Sequence, residues 1–269
     1  MATRPAVAGR IYDLPMSMTE RPTPTGTRRV TSVPPVRSER RRPAPWAVAI
    51  YRSGIGKKYV MAITGIVLMG YVLAHMLGNL KFYLGAESIN RYGEYLRIFG
   101  EPILPEKGFL WMFRVVIIGA FALHIHAAYG LTVMNRKARP QKYASRRDWA
   151  ASDFASRTMR WSGVIVLLFL IFHLLDLTWG TANPGFVHGD VYRNMVASFE
   201  RWPVAIAYVV ANLALGLHLY HGAWSLFQSM GWSNRRFDHW RRYFAVAFAA
   251  VVTLGNVSFP IAVLTGVVS

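Results

Sequence analysis

The chain has 269 residues, 53% of them hydrophobic, with a positive mean hydropathy and a formal net charge of +18. It has no cysteine, which excludes disulfides, thiolate nucleophiles and any iron–sulfur or zinc centre held by its own sulfur. The apolar residues gather in five long blocks with the charges between them; that segregation is a membrane signature and sets nucleic acid aside as the partner of so basic a chain.

The first 50 residues are rich in Arg, Pro, Ser and Thr and hold no apolar run of signal-peptide length, so no cleaved secretory signal is expected. We read residues 1–52 as a disordered basic tail on the cytoplasmic side, because such a composition buries too little apolar surface to offset chain entropy. Residues 53–269 are the predicted transmembrane domain. Its spans are expected at about 59–84, 109–134, 159–179, 203–230 and 243–268. Each exceeds the about 20 residues that cross about 30 Å of hydrocarbon as a helix. The fold class is therefore all-α integral membrane, a bundle of five transmembrane helices.

The links carry further information. Between the first two spans, Ile89, Tyr92, Leu96 and Phe99 recur at helical spacing. Between the third and fourth, Val191, Met195, Val196, Phe199 and Trp202 do the same. Both links are predicted to be short helices lying along the interface over the mouth of the bundle. Lysine and arginine number 12 up to Lys58, 8 from Arg136 to Arg160 and 4 from Arg235 to Arg242, against 6 toward the other face (Lys81, Arg91, Arg97, Lys107, Arg193 and Arg201). This bias places the N-terminus in the cytoplasm and the C-terminus outside.

The first four spans carry deep histidines: His75, then His124 and His126, then His173, then His218 and His221. An imidazole in hydrocarbon is costly without a partner, and a metal is one such partner. Spans one and three run outward, and His75 and His173 lie about 24 and 21 Å along them at 1.5 Å per residue. Spans two and four run inward, and His126 and His218 lie about 26 and 23 Å from the outer face. The alternation predicts an outer pair, His75 with His173, and an inner pair, His126 with His218. Bis-imidazole ligation of two stacked haems needs that arrangement.

Gly130 follows His126 by four residues and Gly222 follows His218 by four. Each glycine shares a helix face with its histidine and would let a flat macrocycle approach. The plainer alternative is that an intramembrane histidine only hydrogen-bonds a neighbouring helix. His124 points about 160° away from His126. His124 and His221 are read as hydrogen-bonding residues or as contacts to a haem propionate or quinone. His188 and His239 lie in links and are expected to be solvated. Arg114, inside the second span, needs an anionic partner at that depth and suits an outer propionate. Lys58, Arg160 and Arg235 suit an inner one. A quinone site needs an apolar cleft with a few polar groups. Asp176, Trp179, Glu106 and Tyr83 offer these at the outer ends, and Trp161, Trp224 and Ser225 at the inner ends.

Several short pieces together carry a family resemblance. They are Ala74-His75-Met76, Gly85-Ala86-Glu87 with Asn90, and His126-Ala127-Ala128-Tyr129-Gly130. Phe172-His173-Leu174 follows, then His218 with Gly222-Ala223-Trp224-Ser225. Over about residues 55–265 the chain resembles the cytochrome b membrane-anchor subunit of succinate:quinone oxidoreductase, in its single-chain, five-helix, di-haem form. The resemblance implies two b haems, with His126 and His218 on one and His75 and His173 on the other. It also implies menaquinone as electron acceptor, and a flavoprotein and an iron–sulfur subunit as partners anchored at the inner membrane. Such a subunit does not touch succinate itself. A higher oligomer of the complex is a further expectation. Arg235, Arg236, His239 and Trp240 are candidates for docking the soluble subunits or for lipid headgroup contact.

Three alternatives stand beside this reading. One is a haem-free, quinone-binding anchor of the same complex, its histidines near an iron–sulfur centre whose thiolates come from another subunit. Another is a cytochrome b anchor of a hydrogenase or formate dehydrogenase. The third is a proton-coupled transporter using Asp176.

Overall fold

The structure, a computed structural model, describes residues 45–138, 154–232, 234, 236 and 238–269, and the side chains of all of these except 154–157. Expectations placed on residues 1–44, on the link 139–153, on Arg157 and on Arg235 lie outside the described residues.

Every regular element among the described residues is helical. The order is α1 (Trp46–Arg52), α2 (Gly54–Asn79), α3 (Ala86–Ile98), α4 (Gly108–Lys137), α5 (Phe154–His173), α6 (Val191–Phe199), α7 (Trp202–Ser229) and α8 (Asp238–Leu264). A 3-10 turn, Leu80–Leu84, prolongs α2, and a π-helical turn, Leu174–Thr178, prolongs α5. Five segments are long and apolar enough to cross a membrane: Gly54–Leu84, Gly108–Lys137, Thr158–Thr178, Trp202–Ser229 and Asp238–Leu264. These are the five predicted spans, and α3 and α6 are the two predicted short helices.

One element departs from the expectation. The tail read as disordered through residue 52 ends in helix α1. Its sequence, Trp-Ala-Val-Ala-Ile-Tyr-Arg after Pro45, contains good helix formers and places proline ahead of the first turn, where a missing N–H costs nothing. Ser53 then separates α1 from α2 and caps α2, its hydroxyl accepting from the Gly56 N–H at 2.9 Å.

Helix α2 packs against α4, and α7 packs against both α5 and α8. In hydrocarbon, close packing rather than water exclusion holds helices together, so small residues mark the seams. The α7–α8 seam follows this rule, with Ala205, Ala211, Ala214 and Gly216 buried on α7 and Ala245, Ala249 and Val252 on α8. A Cβ at Gly216 would overlap the Thr253 side chain. The buried residues of α4 are the small ones Ala120 and Ala127.

The largest buried cluster lies at one end of the bundle, here called the cap end, where α3 and α6 cover the ends of the spans. Phe82, Ile89, Met195, Phe199, Tyr208, Phe259 and Val263 meet there. Asn90 joins the two short helices: its Nδ2 donates to Asp190 Oδ1 at 3.0 Å, and its Oδ1 accepts from the Tyr192 N–H at 3.1 Å. Asp190 also caps α6, accepting from the Arg193 N–H at 3.0 Å. That N–H, and then the Asn90 amide, hold the Asp190 carboxyl below its ordinary pKa. The opposite end, where α2 begins and α7 ends, is called the tail end.

Candidate functional site

The helices bring histidines face to face at two levels. Toward the cap end, His75 on α2 and His173 on α5 have ring centres 5.9 Å apart at 75°. Toward the tail end, His218 on α7 meets His124 on α4, with ring centres 6.5 Å apart at 62°. The outer pairing expected from sequence is present. The inner pairing is not: His218 faces His124, and the sequence reading had His126 in that place.

The reason is the rotation of α4. Its buried residues Ala120 and Ala127 lie seven apart, on the face packed against the bundle. His124 falls four residues after one and three before the other, so it shares that face. His126 lies on the exposed side of the helix. There it stacks on Tyr51 of α1, ring centres 5.7 Å apart at 16°, and its Nδ1 is hydrogen-bonded to the Tyr51 hydroxyl. Gly130, read as room for a macrocycle, instead accommodates the Lys57 side chain. Lys57 Nζ in turn donates to the Tyr51 carbonyl at 3.0 Å.

Hydrogen bonds set the tautomers of the facing rings. Thr64 donates its hydroxyl proton to the Val60 carbonyl at 2.7 Å, so the oxygen is left to accept from His124 Nδ1–H at 3.1 Å. Ser162 donates to the Met159 carbonyl at 2.9 Å and accepts from His218 Nδ1–H at 3.3 Å. Tyr208 donates to Asp176 Oδ2 at 2.9 Å and accepts from His173 Nδ1–H at 3.4 Å. In each ring Nε2 then carries the bare lone pair that a metal requires. At His75 the Asn79 amide lies 3.2 Å from Nδ1. A half-turn of that amide exchanges two nearly isosteric groups and presents a carbonyl to Nδ1–H.

The spacing of the rings suits a shared metal. Two metal–imidazole bonds of about 2 Å, with about 1.1 Å from each nitrogen to its ring centre, set two such centres about 6 Å apart. Among the described residues no group of three or more His, Asp or Glu side chains converges as a metal site. The donors come in twos, the number of axial positions that a porphyrin leaves on iron. Glycines also face the tail-end pair from neighbouring helices. A Cβ at Gly65 would lie 3.6 Å from the His124 ring and one at Gly163 would lie 3.3 Å from the His218 ring. Beside Gly222, one turn from His218, a Cβ would meet nothing within 4 Å. These residues fit bis-imidazole haem.

The remaining candidates are placed as follows. Arg114 is exposed on α4 near Tyr71, its guanidinium 5.1 Å from the Trp111 ring centre. His221 lies on α7 one turn beyond His218 and is partly buried. Lys58 and Arg160 are exposed at the tail end. Tyr83 donates to the Ser258 hydroxyl at 2.7 Å.

Asp176 is fully buried in the π-helical turn that follows His173. Arg201 lies 2.5 Å from its Oδ1, and Ser198 and Tyr208 both donate to Oδ2. Sequence reasoning placed Asp176 near the outer histidine but missed its partners Arg201, Ser198 and Tyr208, and missed Thr64 beside His124. For His124 the sequence held no distinguishing signal, since His126 also has small residues one turn away on each side, Ala122 and Gly130.

These features define a class: a multi-pass membrane protein whose bundle presents imidazoles in facing pairs. The model of the family described as succinate dehydrogenase/fumarate reductase transmembrane subunit matches residues 134–257, a stretch that includes His173, Asp176, Tyr208 and His218. Over that stretch the chain is similar to the transmembrane subunits of succinate dehydrogenase and fumarate reductase. Comparison with curated proteins and with solved structures gave no match.

Proposed function

We propose that this subunit carries electrons within the membrane through two b haems, from an iron–sulfur subunit that accepts them from a succinate-oxidising flavoprotein, to menaquinone. The observation that supports this best is the pairing itself. Two levels of facing imidazoles have ring centres 5.9 and 6.5 Å apart, and hydroxyl oxygens lock three of the four into the metal-binding tautomer. His75 and His173 would hold one haem, and His124 and His218 the other. When bound, haem supplies a one-electron couple whose potential follows its axial ligands, their hydrogen bonds and burial. The protein's part is to orient the rings, keep Nε2 unprotonated and exclude water from the span.

The distribution of basic residues supports an orientation with the tail end toward the cytoplasm of the inner membrane, where the soluble subunits would dock. Arg236, His239 and Trp240 stand at that end. His126 in this reading is not a ligand, because it lies on the exposed side of α4, stacked on Tyr51 and turned away from His218. The ion pair of Asp176 with Arg201 disfavours the transporter alternative, which needs a carboxylate free to cycle.

The test is a reduced-minus-oxidised optical spectrum of the purified complex with haem quantification. Two b haems per chain are expected. The variant His124→Ala should hold one haem and His126→Ala should hold two. A haem-free complex would overturn the reading, and loss of a haem in His126→Ala but not in His124→Ala would overturn the ligand assignment.

A further inference from the structure

The two histidine pairs are supported by different chemistry. At the tail end, Thr64 and Ser162 hold the Nδ1 atoms through hydroxyls that pass their own protons to backbone carbonyls. At the cap end, the hydroxyl that holds His173 passes its proton to a carboxylate, along the series His173, Tyr208, Asp176, Arg201. Asp176 is fully buried and Tyr208 is 3% exposed, so this series runs through protein rather than water. It is also anchored from several sides. Arg201 donates to Asp176 at 2.5 Å and to the Ala182 carbonyl at 2.8 Å. Ser198, fully buried, donates to the same carboxylate. The Tyr208 ring is held edge-on by Phe169 and Phe199, with ring centres 4.9 Å away in each case.

We propose that Tyr208, fixed by Asp176, is a positioning residue for His173 that lowers the reduction potential of the cap-end haem relative to the tail-end one. The inference rests on the haem-ligand reading above. A phenol that donates to a carboxylate has a more electron-rich oxygen than one that donates to a neutral carbonyl, because the charge polarises the O–H bond. That oxygen accepts from His173 Nδ1–H and so makes the imidazole a stronger donor at Nε2. A more basic axial ligand favours the oxidised metal. The hydroxyl partners of His124 and His218 instead donate to uncharged backbone carbonyls. The ordering of potentials is therefore set by side chains of α5, α6 and α7 that touch no iron.

The experiment is an optical redox titration of the purified, haem-loaded complex, with low-spin ferric EPR as a second readout. The cap-end couple is assigned as the one lost in His173→Ala. In wild type it should be the lower of the two. Tyr208→Phe keeps the ring and removes only the hydroxyl; it should retain two haems, raise the cap-end couple, shift its EPR g-values and leave the tail-end couple in place. Asp176→Asn should raise the same couple and serves if the first variant assembles poorly. Ser198→Ala removes a donor from Asp176 without touching the Tyr208–His173 contact and should produce no rise. An unmoved cap-end couple in Tyr208→Phe, equal shifts of both couples, or equal shifts in Tyr208→Phe and Ser198→Ala would overturn the proposal while leaving the haem reading intact. A wild-type complex without haem would overturn both.

Discussion

The cap end and the tail end are built from the same helices but satisfy their polar groups in different ways. At the cap end, α3, α6 and the ends of the spans enclose a cluster of aromatics, and the buried polar residues are partnered within the chain: Asp176 by Arg201, Ser198 and Tyr208, and Asn194 by Val187 and Asn183. At the tail end, Trp161, Trp240 and Tyr243 are exposed beside Lys58, Arg160 and Arg242. There Tyr51 of α1 reaches both Lys57 and His126, the latter 75 residues further on. The difference teaches that one end is closed by its own sequence. The other presents aromatic and cationic side chains at a surface, the composition that membrane interfaces and partner chains both accept.

The largest expected effect of breaking this contrast is at Asp176. Replacing it with alanine leaves Arg201 without its carboxylate and two buried hydroxyls without an acceptor. A loss of about 3–5 kcal/mol is expected for such a broken buried pair, near the lower end because the Arg201 side chain is 30% exposed. Thermal unfolding in detergent measures it, and a loss below about 1 kcal/mol would mean that the cap end is not held as described. Next is Gly216→Val, which forces Thr253 and the α7–α8 seam apart and should cost about 1–3 kcal/mol. The same assay reads it, and no change would place the seam elsewhere.

Asp190→Ala removes the α6 cap and one tie to Asn90, for about 1 kcal/mol. Its pH dependence has a definite sign. The folded carboxyl titrates below its ordinary value, so its contribution is complete above the unfolded pKa and is lost as pH falls through the folded one. Stability of wild type and Asp190→Asn measured down that acid limb should converge. Smallest is Tyr51→Phe at the tail end, expected within about 0.5 kcal/mol with haem content unchanged. A larger loss there would erase the contrast between the two ends.

Much of the fold was legible because the signals are local. A run of about 20 apolar residues has to span hydrocarbon as a helix, since no other single-segment structure satisfies its backbone. Ile89 on α3 and Met195 and Phe199 on α6 recur at helical spacing, and all three are buried where that spacing placed them. The depth of each histidine also follows from counting residues. Its direction around the helix does not, and His124 and His126 differ mainly in that direction.

The sequence by itself determined five membrane helices, two short covering helices and imidazoles at two matched levels, because hydropathy and rise per residue are properties of one helix at a time. Tertiary structure alone decided that α4 turns His124 rather than His126 to His218, because helix rotation is set by which small residues pack against a neighbour. It alone joined Asp176 to Arg201 and Tyr208, 25 and 32 residues further on, because a buried charge takes its partner from whichever helix end folding brings within hydrogen-bond reach.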